Sequence, residues 1–288
     1  MNLFVENKRT AYGTTSEKII FYVGLCGLFG AALLFLFPLY WMTKGAIEPT
    51  VMAIRLPPTL VPSDITLDNF TRLIQRTAVM RWLVNSVVVA GSATALTLFF
   101  GSLAGYAFAK RRFPGRELIF WILLTALMAP RQVMLIPLYI LMNAYGLYNT
   151  HPGMFLPQVA WPFGLFLMRQ FMQSIPNSLI ESAKMDGASE FRVYRSIILP
   201  LSIPALGSVG ILYFVRTWND YMWQLVITRD RLMWTLPVGV STVARTELQL
   251  DFGLMMAGAT FGALPMIAIF LFFQKYFVRG LTVGAVKG

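Results

Sequence analysis

Few side chains here can do chemistry, and those that can are set in very apolar surroundings. Arg216 and Asp220 stand four residues apart in one apolar run, on one face of a helix, where they can pair with each other. Ionisable groups at membrane depth are costly and mark function by default. Trp218, Asn219, Tyr221 and Trp223 surround Asp220. Aromatic rings cover the apolar faces of sugars, and amides and carboxylates bond their hydroxyls. The patch therefore also suits the lining of a saccharide path, for which Asn143 and Trp161 are further candidates. Aromatics near a span end read equally as an interfacial belt. The single histidine, His151, sits beside Pro152 and reads as a solvated loop residue. The single cysteine, Cys26, reads as a packed thiol. There is no zinc-type histidine pair, no paired intramembrane carboxylates and no Gly-x-x-x-x-Gly-Lys-[Ser/Thr] phosphate loop. The chain is therefore expected to be no enzyme and to carry no cofactor of its own.

A second stretch is polar between two apolar runs: Glu181-Ser182-Ala183-Lys184-Met185-Asp186-Gly187-Ala188, followed by Ile197-Ile198-Leu199-Pro200. Ser178 and Glu181 match a capping box, and Gly187 suits the left-handed residue that closes a helix. Ser189 can cap a second helix that ends before Pro200. Phe191, Tyr194 and Ile198 form one apolar stripe along it. Helices this short are marginal in water alone. The stripe must be covered by the chain's own spans or by a partner, and the residues alone leave both readings open.

The elements that position these residues are apolar helices. The chain has 288 residues, is 57% hydrophobic and 13% charged, and has a mean hydropathy of +0.63. That is the composition of an all-α polytopic membrane protein. Its net charge of +11 belongs to cytoplasmic loops rather than to nucleic-acid binding. Six runs have about the 20 residues needed to cross a bilayer: 19–43, 82–109, 118–142, 153–172, 201–227 and 254–277. Pro130, Arg131, Gln132 and Pro137 interrupt the third, which predicts a shorter helix ending near Pro130 and then a bent segment. Arg131 reads as a snorkelling residue, a gate or a receptor contact. The first run is longer than the apolar core of a signal peptide and is expected to stay in place. The Lys110-Arg111-Arg112 cluster puts both termini, residues 1–18 and 281–288, and the loop 173–200 in the cytoplasm, with the loop 44–81 outside. Asp64 to Phe70 reads as the start of a surface helix in that outer loop. Gly101 with Gly105, and Gly258 with Gly262, have the spacing of close helix approach.

The polar stretch resembles the signature loop of binding-protein-dependent ABC importer permeases, Glu-Ala-Ala-x-x-x-Gly followed about nine residues later by Ile-x-Leu-Pro. The matching residues are Glu181, Ser182, Ala183, Gly187, Ile197, Leu199 and Pro200, with Ser182 where alanine is usual. The chain as a whole is similar to the second permease subunit of carbohydrate importers, relatives of the maltose and glycerol-3-phosphate permeases. Asn85-Ser86, Phe113-Pro114-Gly115, Gly146 to Thr150, Trp218-Asn219-Asp220, Val278 to Thr282 and Gly284 to Gly288 carry that likeness. The resemblance implies a non-enzymatic permease subunit in a bacterial or archaeal cell membrane, importing a sugar or sugar derivative. It implies three kinds of partner: a second permease subunit, an ATPase dimer that uses ATP and Mg, and an extracytoplasmic substrate-binding protein. The loop becomes a coupling helix pair, with Glu181 and Asp186 offering acceptors to the ATPase and Phe191 and Tyr194 packing in its groove. The alternative is a proton- or sodium-coupled secondary transporter. That chemistry usually needs several intramembrane carboxylates or histidines, and Asp220 is the only carboxylate within the six runs.

Overall fold

A computed structural model describes residues 15–53, 57–243 and 251–283, with side chains for 18–51, 57–242 and 251–272. The extreme N-terminus and the tail from Gly284 to Gly288 lie outside the described residues, as do the side chains of Val278 to Thr282. Among the described residues every regular element is a helix. Three are long and apolar enough to cross a membrane: α1 (Thr15–Ala46), α4 (Val79–Lys110) and α15 (Phe252–Val283). Between α1 and α4 lie two short helices, α2 (Thr50–Ala53) and α3 (Asp68–Arg76). The latter starts at Asp68, whose N–H donates to Thr66 Oγ1 (3.1 Å).

The third run is broken as its prolines predict. Helix α5 (Arg116–Thr125) ends in a 3-10 turn, and α6 (Arg131–Ala144) leaves at 103° to it. Ala129 is forced extended (φ −73°, ψ 124°) because Pro130 follows it. The fourth and fifth runs, expected as continuous helices, are broken too. The fourth divides into α7 (His151–Val159) and α8 (Pro162–Gln173), since Pro162 holds Trp161 extended (φ −107°, ψ 100°). The fifth divides into α12 (Ile203–Trp218) and α13 (Met222–Ile227).

A helix broken at membrane depth strands carbonyls that must find other donors. Pro157 offers no N–H to Gly153 O, and Trp223 Nε1 donates to it instead (3.3 Å). Pro162 offers none to Gln158 O, which accepts from Tyr213 OH. Thr97 Oγ1 donates to Val159 O (3.0 Å). Side chains from α4, α12 and α13 thus repair the break between α7 and α8, and each is buried for that purpose.

The chain divides into two compact units. In one, residues 1–70 with 251–260, a buried Lys44–Glu48 pair (2.6 Å) closes α1. There Asn69 Nδ2 donates to Ala46 O (3.0 Å) and Glu48 O (2.7 Å), and Thr50 Oγ1 donates to Asp251 Oδ1 (3.1 Å). Among the described residues Cys26 is exposed on α1, against the expectation of a packed thiol. In the other unit, residues 71–250 with 261–288, α4 is the central helix and packs on α7, α8, α12 and α14 (Leu236–Val243). A Cβ at Gly105 would stand 2.7 Å from Met168 Cβ on α8, while one at Gly101 would meet open space. Only the second of that glycine pair makes the close approach.

Candidate coupling segment and translocation path

The polar stretch forms two helices around a left-handed glycine. Helix α9 (Asn177–Met185) starts directly after Pro176, and neither Ser178 nor Glu181 makes the expected capping box. Lys110 takes over that end: its Nζ donates to Asn177 Oδ1 (2.9 Å), to Gln173 O (3.4 Å) and to Ile175 O. A cation there also satisfies the last carbonyls of α8. At the other end of α9, Gly187 has φ +77°, Ala188 N–H reaches Ala183 O (2.9 Å) and Gly187 N–H reaches Lys184 O (3.0 Å). This is a Schellman closure, and the positive φ is what glycine supplies. Ser189 stands at the N-cap of α10 (Glu190–Val193), though its side chain makes no cap bond. The second helix does not stop before Pro200. It passes through a π turn (Tyr194–Ile198) into α11 (Leu199–Leu201), with Leu199 N–H reaching back to Tyr194 O. The wider turn carries the chain past a proline that has no N–H to give.

This geometry splits the expected apolar stripe. Phe191 points outward and is 65% exposed, while Tyr194 and Ile198 turn inward. Tyr194 OH lies 2.7 Å from Ser102 Oγ, and its ring is 5.5 Å from that of Tyr106, both on α4. Tyr194 is therefore part of this chain's own core and is withdrawn from any partner-facing role. Ile197 and Ala183 are half-buried against the same core. Glu181, Ser182, Asp186, Gly187 and Pro200 are exposed. Around them Met185 is 89% and Leu179 43% exposed. One face of the loop packs on the chain's own helices, and the other is exposed.

Glu190 joins the two faces. Its carboxylate accepts from Arg111 Nη1 (2.6 Å), Lys184 Nζ (2.8 Å) and Tyr106 OH (3.0 Å). The Lys184 bond, helped by Tyr106 and by the charge of Arg111, holds its carboxyl below the usual carboxylate range. In the sequence no local pattern singles out Glu190, and Lys110 and Arg111 read only as an orientation signal.

The residues expected beside a path are also rearranged. Arg216 and Asp220 do not pair, because α12 ends at Trp218 and Asp220 loses the i+4 position. Asp220 is buried and pairs with Arg131 Nη2 (3.1 Å), the first residue of α6. The guanidinium of Arg216 lies 5.5 Å from the Trp161 ring centroid and 5.7 Å from that of Tyr213, cation–π distances. Two helix breaks thus meet at the Arg131–Asp220 pair, and Arg216, within the last turn of α12, reaches Trp161 at a third. Trp218 is buried and stacks on Phe214 (5.7 Å), and Asn219 is exposed with its amide on Val215 O (2.9 Å). Tyr221 is half-buried. Asn143 is exposed at the far end of α6, twelve residues along the helix from Arg131. Gln158 and Gln224, which no sequence pattern singles out, are buried with Oε1 atoms that accept no hydrogen bond.

The far end of α4 is held by neutral donors. Asn85 Nδ2 donates to Leu232 O (2.7 Å) and Trp234 O (2.9 Å), and Trp82 Nε1 to Arg231 O (2.7 Å). Ser86 Oγ accepts from Leu236 N–H (2.8 Å). His151 is half-buried rather than solvated, with Nε2 3.0 Å from Asn85 Oδ1.

A broken-helix membrane bundle with a glycine-turned helix pair docked at one end defines a transporter permease. The chain belongs to the family described as the binding-protein-dependent transport system inner membrane component, which matches residues 97–283. Among curated relatives it is 38% identical over 260 residues to the arabinooligosaccharides transport system permease protein AraQ of Bacillus subtilis, covering 89% of this chain and 92% of that one. It is 34% identical over 263 residues to the trehalose/maltose transport system permease protein MalG of Thermococcus litoralis, covering 89% and 93%. The fold is that of a bacterial ABC transporter involved in import of the acidic polysaccharide alginate. That match has a TM-score of 0.82 at 23% identity, over 93% of this chain and 100% of the other. Family membership decides for the importer permease over the secondary transporter.

Proposed function

We propose that this permease subunit imports a neutral oligosaccharide, forming half of the translocation path with a second permease subunit. The segment 177–200 docks on a partner ATPase that uses ATP and Mg. An extracytoplasmic binding protein delivers the cargo, as the family's description suggests. The observation that carries the docking reading is the free face around Gly187. Leu179, Met185 and Phe191 leave apolar surface beside the acceptors Glu181 and Asp186, on a segment firmly packed from behind. Apolar surface of that kind next to polar groups marks an interaction site. Both termini are cytoplasmic in this reading. The contacts of Lys110 and Arg111 with the segment support it, since they set the basic cluster and the docking face at one end of α4.

The sugar class rests on the relatives named for arabino-oligosaccharides and for trehalose/maltose. In this chain Asp220, Asn219, Tyr221 and Trp161 stay the candidates beside the path, with Arg131 now added. Trp218 and Asn143 are less suited, one being packed away and the other distant from the rest. The apolar cavity of ≈ 610 Å³ lined by Thr94, Leu98, Gly210 and Phe214 offers a sugar a single hydroxyl and is no rival.

Gentle extraction of the tagged chain from its host, followed by ATPase assay of the eluate, tests the docking reading. A co-purifying ATPase that is lost with Gly187→Asp supports it. A chain that purifies without ATPase activity overturns it. Uptake of labelled arabino-oligosaccharides, trehalose and maltose, with Asp220→Ala beside wild type, tests the cargo and the path separately.

A further inference from the structure

The contacts of Glu190 assign it a role beyond holding a loop together. We infer that Glu190 is the positioning residue that clamps the docking segment to α4, so that movement imposed on the segment is delivered to that helix. The inference rests on the proposed ATPase docking.

Three donors from two elements converge on one carboxylate: Lys184 from α9, and from α4 its C-cap residue Arg111 and Tyr106 one turn inside. One hydrogen bond of this kind would be ordinary. Three charge-assisted or hydroxyl bonds from three places fix position as well as distance. The clamp does not act alone. Lys110 ties the start of the segment to α4, and Tyr194 with Ser102 ties its exit. The segment is thus held at its start, middle and end to the last three turns of a single helix. That helix has 32 residues, so it is about 48 Å long at 1.5 Å per residue. Its opposite end carries Trp82, Asn85 and Ser86, which hold the chain from Arg231 to Leu236. A push on α9 therefore reaches residues 231–236 through one rigid element. Without Glu190, α9 keeps its Schellman closure and its outward face, so docking survives, while the middle of the segment loses its tie to α4 and only the contacts of Lys110 and Tyr194 at its two ends still deliver the push.

Carbon-copy geometry with altered charge gives the test: Glu190→Gln in the complete importer complex, reconstituted with its binding protein in proteoliposomes. Two quantities are read, ATPase retained per permease and ATP hydrolysed per sugar imported. The expected result is unchanged retention and a rise of about fivefold or more in ATP per sugar. The double variant Glu190→Lys with Arg111→Glu, which restores an ion pair of opposite polarity, should recover part of the coupling lost in Glu190→Lys alone. An ATP-per-sugar ratio equal to wild type in Glu190→Gln overturns the inference and leaves docking intact. A wild-type chain that retains no ATPase overturns the docking reading itself. If Glu190→Gln does not assemble, Tyr106→Phe removes one of the three bonds without changing charge. A rise of about twofold is expected there, and an unchanged ratio overturns the inference.

Discussion

The two ends of α4 are held by different chemistry. At the Lys110 end the partners are charged and half-exposed: Arg111 and Glu190 are 40% and 43% exposed, and Arg111 and Lys184 share the Glu190 carboxylate. At the Trp82 end the donors are an amide and an indole, buried, and the acceptors are backbone carbonyls. Exposed ion pairs are individually weak, screened by salt and easily re-formed. Buried neutral bonds to carbonyls are costly to break because the partner is left unsatisfied. One end is therefore suited to repeated loading by a partner, and the other to keeping a fixed register with residues 231–236.

Breaking the neutral end should cost most. Asn85→Leu strands the carbonyls of Leu232 and Trp234, and a loss of about 3 kcal/mol is expected from two unsatisfied acceptors. Thermal unfolding of the assembled complex reads it, and ATPase retention should stay normal. A variant as stable as wild type would remove the contrast between the ends. Next comes the seam between α4 and α8. Gly105→Ala brings a Cβ within 2.7 Å of Met168 Cβ and 3.3 Å of the Arg169 nitrogen, an overpacking cost of about 2 kcal/mol on the same readout. Tyr213→Phe, which unpairs the carbonyl of Gln158 at the repaired break, should cost about 1 kcal/mol.

The ionic end should respond to conditions that leave the neutral end unmoved. Raising salt from 0.05 to about 1 M shortens the screening length to about 3 Å. Hydrogen exchange in residues 177–193 is expected to quicken modestly, with none of that change in residues 231–236. For pH the sign follows from a folded carboxyl held low at Glu190. Its contribution is complete above the unfolded carboxylate pKa and is lost as pH falls through the lower folded value. The clamp should be intact at neutral pH and open only in acid below the ordinary value of 4.5. Loosening between pH 8 and 6 would point to another group.

Much of this was legible from residue type and spacing. The apolar runs, the break at Pro130 and the left-handed Gly187 each follow from one local rule. What was not legible depends on which residues meet across the bundle. Arg216 and Asp220 looked like a pair because i+4 spacing assumes an unbroken helix, and the break after Trp218 removed that assumption. The fourth run reads as one continuous helix, and the donors that make its break tolerable come from distant segments: Thr97, Tyr213 and Trp223. Tyr194 and Phe191 looked alike on a stripe. The π turn and Ser102 decide that one faces in and the other out. The clamp at Glu190 joins residues 79 apart from Arg111, which no local pattern encodes.

The central claim is that the free face around Gly187 seats a partner ATPase. Cys26 is the only cysteine, so Cys26→Ser leaves a background for a single new thiol. Met185→Cys, at the most exposed apolar position of that face, can then be cross-linked in the purified complex with a short bifunctional reagent. The account predicts one cross-linked product with the ATPase, in a yield that changes when ATP is added. A thiol that reacts freely but never joins the ATPase, with or without nucleotide, would contradict it.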